Sequence, residues 1–301
     1  MNNQQRSVFV TIVGIPNVGK SSILNRILGH KIAIVSSKPQ TTRTRITGIL
    51  TDGDDQLVFI DTPGLLKPRN ELGEYMVKAI NESVPNGDVA VLVVEAAGGV
   101  RKGELSLIEK LKKSDMPAIL AINKIDMLKN KKEELMDAIL SYSELYNFDA
   151  VVPISAQTGE GFPALTDELK KHCVEGGHFF DDDALTDQPE KVIVSEIIRE
   201  KILRLCDKEI PHGTAVVIES LKERENGDIM DIEATIYCER DSHKGIIIGK
   251  KGAMLKKIGE LARADIEEFM GTKVYLQTWV KVKENWRDSM AQLRNFGYTE
   301  Q

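Results

Sequence analysis

Residues 14–21 read GIPNVGKS, an instance of G-x-x-x-x-G-K-S/T that follows an apolar run at 8–13 and opens an amphipathic helical segment at 20–28. A strand, a glycine-bearing loop and a helix in that order leave little choice of fold. The loop must turn its N–H groups toward a phosphate, and the strand must sit in a sheet whose carboxyl ends face the ligand. Gly14 and Gly19 let the backbone curl, and the N-terminus of the following helix adds positive potential. Gly14, Pro16, Asn17, Val18, Gly19, Lys20, Ser21 and Ser22 are the candidate phosphate-binding residues. Lys20 is expected to reach the β- and γ-phosphates, and the Ser21 hydroxyl to ligate Mg²⁺.

Further apolar runs recur at 57–60, 89–94, 118–122 and 150–154, and amphipathic segments such as 104–113 separate most of them. Buried runs alternating with helices predict a mostly parallel sheet covered on both faces. The exception is 46–50, then Asp52-Gly53, then 56–60, which reads as an antiparallel hairpin carrying an edge strand. The first domain is thus an α/β phosphate-loop domain over 1–171. From 172 to 190 the pattern breaks at Gly176-Gly177, the acidic run Asp181–Asp183 and Pro189, which predicts an exposed linker. A smaller α+β domain over 191–301 follows. Its expected elements are a helix at about 191–209, strands at 214–221 and 229–238, a glycine-rich turn, a helix to about 270, a strand at 273–280 and a last helix from 284.

Three more motifs close strands on the ligand side of the expected sheet. In DTPG, Asp61 is placed to hold Mg²⁺, and the Gly64 N–H to sense the γ-phosphate. In NKID, which comprises Asn123, Lys124, Ile125 and Asp126, the Asp126 carboxylate can accept two hydrogen bonds from N1–H and N2–H₂ of guanine. Adenine offers no such pair, and a site built around that contact rejects the wrong base because the carboxylate would be left unpaired. Ser155-Ala156 closes 150–154, with the Ala156 N–H placed for guanine O6. The expected ligands are therefore GTP or GDP with Mg²⁺.

Over residues 1–170 these motifs resemble the translation-factor-related small GTPases. The resemblance implies a mobile threonine that ligates Mg²⁺ only beside a γ-phosphate. The matching segment is PQTTR at 39–43, where Thr42 is favoured over Thr41. Lys20, Thr42 and Gly64 are the candidate catalytic residues, and Ser21, Thr42 and Asp61 the candidate Mg²⁺ ligands. Ras-like relatives place a glutamine after the DxxG glycine to orient water, and here that position is Leu65, which cannot hydrogen-bond. The pattern is similar to GTPases in which a loop asparagine helps to bind K⁺, and Asn17 occupies that position. The residues alone equally allow Asn17 to bond backbone within its own loop.

In the second half, residues 242–257 read SHKGIIIGKKGAMLKK. The Gly249-Lys-Lys-Gly252 turn before a long helix at 253–270 resembles a KH domain of type II, whose GXXG turn clamps the backbone of about four nucleotides. Glycines let RNA phosphates approach the main chain, and the helix amides attract them. The chain as a whole carries a net charge of −6, so nucleic acid must be held by a local patch. Residues 240–257 supply one: Arg240, Lys244, Lys250, Lys251, Lys256 and Lys257 stand against Asp241 alone. The candidate RNA contacts are Lys244, Gly245, Ile248, Gly249, Lys250, Lys251, Gly252 and Lys256. Trp279 and Trp286 are expected to close a small core rather than stack bases.

A GTPase of this motif set joined to a KH domain resembles the Era family of bacterial GTPases of small-subunit assembly. GIPNVGKSS, PQTTR, DTPGL, NKID, SAQTGEG and HKGIIIGKKG carry the match over nearly the whole chain. The resemblance implies binding near the 3′ end of small-subunit (16S) ribosomal RNA in the GTP state, and hydrolysis that resets the protein during assembly of the 30S particle. It also implies peripheral association with the cell membrane. A competing expectation is an RNA-binding module whose GTP site is structural and slow. No apolar run approaches the ~20 residues of a bilayer span. Cys173, Cys206 and Cys238 form neither a disulfide framework nor a CxxC site, and no signal peptide is evident. The expected location is therefore the cytoplasm, with a monomeric chain and no DNA partner.

Overall fold

A computed structural model of the chain describes residues 5–36, 38, 40–64, 68, 70–83, 87–129, 131–207, 209–225 and 227–298, apart from the side chain of residue 131. The described chain divides into two units. One comprises residues up to 33, 42–67 and 76–187; the other comprises 34–41, 68–75 and 188 onward.

The first unit is built on β1 (Arg6–Val13), α1 (Lys20–Leu28), β2 (Ile46–Asp52), β3 (Asp55–Asp61), β4 (Val89–Glu95), α3 (Lys102–Ser114), β5 (Ala118–Asn123), α4 (Lys131–Ser143), β6 (Ala150–Pro153), α5 (Phe162–Lys170) and β7 (Val174–Glu175); α2 (Glu71–Ser83) lies between β3 and β4. The sheet order is β2-β3-β1-β4-β5-β6, with β7 paired to β1. Residues 89–94 and the whole of β5 are buried on both faces, as a central parallel strand requires. β2 and β3 form the expected antiparallel hairpin, running from Ile46 opposite Asp61 to Asp52 opposite Asp55. Parallel pairing of β1 with β3 and β4, and of β5 with β4 and β6, brings the ends of β1, β3, β4, β5 and β6 to one edge. That edge carries the phosphate loop, DTPG, NKID and Ser155-Ala156.

The stretch 172–190 is not a free linker. β4 begins to pair with β1 only at Val10, so Arg6 and Ser7 are open on that side, and β7 pairs there antiparallel. Beyond it the chain straps across the β2–β3 hairpin. The buried Gln56 side chain accepts from the Phe179 and Phe180 N–H groups at 2.8 and 3.0 Å and donates to Phe180 O at 3.0 Å. Ile49 N–H donates to Leu185 O at 2.9 Å, and the Thr186 hydroxyl to Thr47 O at 2.6 Å. The composition reads as a linker, yet a buried glutamine needs these backbone groups as partners. Much of the stretch still keeps the expected exposure, Asp181–Asp183 included, so it is the backbone pairing and not burial that ties it down.

In the second unit α6 (Glu190–Leu205), β8 (Thr214–Glu223), β9 (Ile229–Cys238), α7 (Asp241–Ile248), α8 (Ala253–Met270), β10 (Lys273–Val282) and α9 (Met290–Asn295) follow the expected order. The sheet order is β10-β9-β8, with β10 parallel to β9 and β8 antiparallel to it. Ile258, Ala262 and Ile266 make one apolar stripe of α8, which joins Ile193, Val194, Ile197 and Ile198 of α6 in the core. Trp286 joins a small aromatic core as expected: it is wholly buried, packs against Phe296 and Tyr298, and donates to Gly213 O at 2.9 Å. Trp279 does not; it stands 44% exposed on the edge strand. Charge is also buried here. Glu200 Oε1 accepts from Val35 N–H and from Arg204, both at 3.0 Å, while its Oε2 bonds Lys201 at 3.0 Å.

Candidate nucleotide and nucleic-acid sites

The phosphate loop keeps its shape through close approaches that exclude larger residues. A Cβ on Gly14 would lie 2.7 Å from Val93 O, and one on Gly19, whose φ is +103°, 2.3 Å from the Asn123 side chain. Asn17 is also left-handed at φ 68°. Gly19 caps α1 with no side-chain acceptor, so the first-turn N–H groups stay available to an anion. Ser22 lies in that same first turn, and Val18 is fully buried. Lys20 Nζ donates to Gly14 O at 3.1 Å and Ile15 O at 3.2 Å, which holds the ammonium inside the loop. Burial pulls its pKa down to about 8, against the attraction of Asp61.

The expected metal ligands converge. Ser21 Oγ donates to Asp61 Oδ2 at 2.6 Å and lies 2.9 Å from Thr42 Oγ1. Asp61 is wholly buried, and desolvation raises its pKa to about 6 although Lys20, Ser21, Thr42 and the Thr62 backbone oppose the rise. Its other oxygen, Oδ1, is buried without a hydrogen-bond partner. Two hydroxyls and a carboxylate with a spare oxygen form a hard-oxygen donor set that fits Mg²⁺. The structure also separates Thr42 from Thr41, whose hydroxyl is turned to Lys38 O at 2.6 Å. Gly64 lies against the loop, where a Cβ would stand 2.8 Å from the Pro16 backbone. Leu65 falls outside the described residues.

The guanine-side residues come together with roles that only the fold shows. Asn123 is buried and braces two loops: its amide donates to Val18 O at 2.8 Å, and its Oδ1 accepts the Ala156 N–H at 3.0 Å. The Ala156 N–H expected at guanine O6 is therefore engaged with Asn123. Lys124 also braces, donating to Asn17 O at 2.8 Å and pairing with Glu95. Ser155 Oγ donates to Asp126 Oδ1 at 2.5 Å, which orients an exposed carboxylate. Sequence reasoning missed Glu95. It ends β4, pairs with both Lys124 and Arg101, and is held below the usual carboxylate range although burial opposes the shift. Its position at a strand end on the ligand edge was the available signal.

In the second unit, Gly249 ends α7 at φ 72°, and a Cβ there would lie 2.7 Å from the Met254 side chain and 2.9 Å from its backbone nitrogen. Lys251 and Gly252 are left-handed at φ 53° and 80°. Gly252 caps α8 without a side-chain acceptor, so this helix also presents bare amides. Lys250, Lys251 and Lys256 are exposed around the turn, whereas Lys244 and Ile248 are half-buried and Gly245 is exposed on α7. A cleft of about 440 Å³ runs from Gly252, Leu255 and Lys256 past Arg263 to Tyr275 and Thr278. The GXXG residues and their lysines thus share one surface.

A parallel-sheet domain with a phosphate loop and a guanine-type NKID edge, followed by an α-β-β-α-α-β unit with an exposed GXXG turn, defines a GTPase carrying a KH domain. Family models agree: residues 9–124 match the 50S ribosome-binding GTPase family, and residues 209–287 the KH domain. The chain is 51% identical to GTPase Era of Clostridium kluyveri, over 97% of this chain and 99% of that protein. It is 50% identical to GTPase Era of Clostridioides difficile, over 98% and 99%. A crystal structure of Era in complex with MgGDPNP and nucleotides 1506–1542 of 16S ribosomal RNA superposes with TM-score 0.94 at 36% identity, covering 98% of this chain and all of that one. The chain belongs to the Era family of GTPases.

Proposed function

We propose that this GTPase is a nucleotide-controlled RNA-binding switch in small-subunit assembly, holding the 3′ region of 16S ribosomal RNA through its KH domain. The observation that carries the reading is a device used twice. α1 and α8 each begin at a left-handed glycine with no side-chain cap, one beside a buried lysine and carboxylate, the other among exposed lysines. Both are anion sites, and each belongs to a unit of its own. The Era relative solved with MgGDPNP and 16S ribosomal RNA supports the pairing of these two ligands.

Ser21, Thr42 and Asp61 would hold Mg²⁺, which when bound neutralises charge on the terminal phosphates. Lys20 supplies a positive charge that needs no reorganisation, because Gly14 O and Ile15 O already position it. Asp126, aimed by Ser155, selects guanine. Asn123 and Lys124 keep the phosphate loop and the base-side loops in register, the one through Val18 O and the Ala156 N–H, the other through Asn17 O. Asn17 is read as a K⁺ ligand that raises the hydrolysis rate in place of a water-orienting glutamine. Equal turnover in K⁺ and Na⁺ buffers would sink that part. We place the chain in the cytoplasm. Peripheral membrane association rests on family resemblance, and no described helix is long and apolar enough to cross a membrane.

The test of the switch is RNA affinity measured with GDP and with a non-hydrolysable GTP analogue. Tighter binding with the analogue is expected. Equal affinities would refute nucleotide control, and an unchanged affinity in Lys250→Ala with Lys251→Ala would refute the KH site.

A further inference from the structure

β10 is an edge strand with β9 as its one neighbour, and its exposure alternates along its length. Val274 and Val280 are buried, whereas Lys273, Tyr275, Gln277, Trp279 and Lys281 are exposed on the other face. The two aromatics differ in how they are covered. Arg224 lies over the Tyr275 ring at 5.4 Å and is itself tied to Asp231 at 2.7 Å. Trp279 takes part in no ring contact among the described residues. A half-exposed indole flanked by lysines, in a chain whose other tryptophan is wholly buried, is open to stacking by a partner.

Its level along the unit follows from the connection between α8 and β10. Only Gly271 and Thr272 separate them, so the two run antiparallel, and Glu267 accepts the Val274 N–H at 3.0 Å at that end. From Lys273 to Trp279 the strand rises about 20 Å at ~3.3 Å per residue, equal to ~13 residues of helix at 1.5 Å each. Trp279 therefore stands level with Lys256 and Lys257, in the first turns of α8 after the GXXG turn. The cleft that begins at Gly252 opens along this strand, where Tyr275, Leu276 and Thr278 line it.

We propose that Trp279 is a base-stacking platform for single-stranded RNA that continues from the GXXG clamp over the free edge of β10. The proposal rests on the RNA-binding reading above and extends the site beyond the about four nucleotides that such a turn holds. Charge fits a polyanion: Lys250, Lys251 and Lys256 lie on the clamp side, and Lys273 and Lys281 flank the aromatics on β10. Glu233, exposed on β9 opposite Gln277, opposes a path across the sheet face and favours one along the edge. An indole needs no particular base to stack on, so this platform lengthens the bound tract without reading it.

The test uses the full chain and two fragments from the 3′ end of 16S ribosomal RNA, one of about four nucleotides and one about twice as long. Affinity is read by anisotropy of labelled RNA, and stacking by quenching of tryptophan emission. The longer fragment is expected to quench the wild-type emission. The emission left in Trp279→Phe, which comes from buried Trp286, should not change. Trp279→Ala should weaken the longer fragment by about 5- to 150-fold, the cost typical of losing one base–aromatic stack. It should leave the short fragment unchanged, and Trp279→Phe should restore most of the loss. Unquenched emission with RNA bound, or equal weakening of both fragments, would overturn the platform alone. If neither fragment binds the wild type, the RNA-binding reading fails and takes the platform with it.

Discussion

Replacing Asp61 by asparagine should stabilise the nucleotide-free protein while weakening its hold on Mg²⁺-nucleotide. Asp61 is wholly buried, its Oδ1 has no partner, and desolvation lifts its pKa from 3.8 to about 6 in spite of Lys20. Keeping this carboxylate ionised at neutral pH therefore costs on the order of 3 kcal/mol relative to the unfolded chain. Asparagine keeps an acceptor for Ser21 Oγ and removes the charge. The advantage of the variant should be fully present above about pH 6, where the native carboxyl is ionised. It should shrink as pH falls from there toward 3.8, because a protonated Asp61 no longer carries the penalty. For a unit of this size each kcal/mol moves the melting temperature by roughly 2–4 °C, so a rise of several degrees is expected at neutral pH. The assay is thermal melting of both proteins, nucleotide-free, across the acid range, repeated with Mg²⁺ and GDP. With ligand the order should reverse, since ligand stabilises the wild type in proportion to its affinity. A variant that melts no higher than wild type at neutral pH, or whose advantage persists at low pH, would refute the reasoning.

Asp126→Asn should weaken GDP binding by about 10²- to 10⁴-fold, the value of two hydrogen bonds to a charged acceptor. Calorimetry checks this, and xanthosine diphosphate should recover part of the loss because its base presents an acceptor where guanine has a donor. Asn123→Ala should lower the stability of the nucleotide-free protein by about 2–3 kcal/mol, because it orphans Val18 O and the Ala156 N–H together; an unchanged denaturation midpoint would contradict the bracing role. Gly245→Ala and Gly249→Ala should diverge. At Gly245, inside α7, a Cβ meets nothing within 4 Å, so alanine should stabilise by about 0.5–1 kcal/mol yet reduce RNA affinity by blocking close phosphate approach. At Gly249, with φ 72° and the Met254 backbone 2.9 Å away, alanine should destabilise by more than about 1 kcal/mol in the same melting experiment.

The nucleotide chemistry was legible in the sequence because its carriers are local. The curl of residues 14–21, the amides at the start of α1 and the carboxylates at the ends of β3 and β5 depend on residues close along the chain. The strands that carry them announce themselves by unbroken burial. The GXXG turn was legible for the same reason, since glycines, lysines and a following helix lie within one short stretch. What the tertiary structure alone decided are the pairings between distant positions. Asn123 reaches Val18 across 105 residues, Lys124 reaches Asn17 across 107, and Gln56 gathers the strap at Phe179 and Phe180 across more than a hundred. The two tryptophans make the same point within one domain, for they lie seven positions apart and both are expected in a core from sequence. Sheet order puts one at a free edge, and the return of the chain buries the other against Gly213. Burial depends on which surfaces meet, and no local pattern of side chains encodes that.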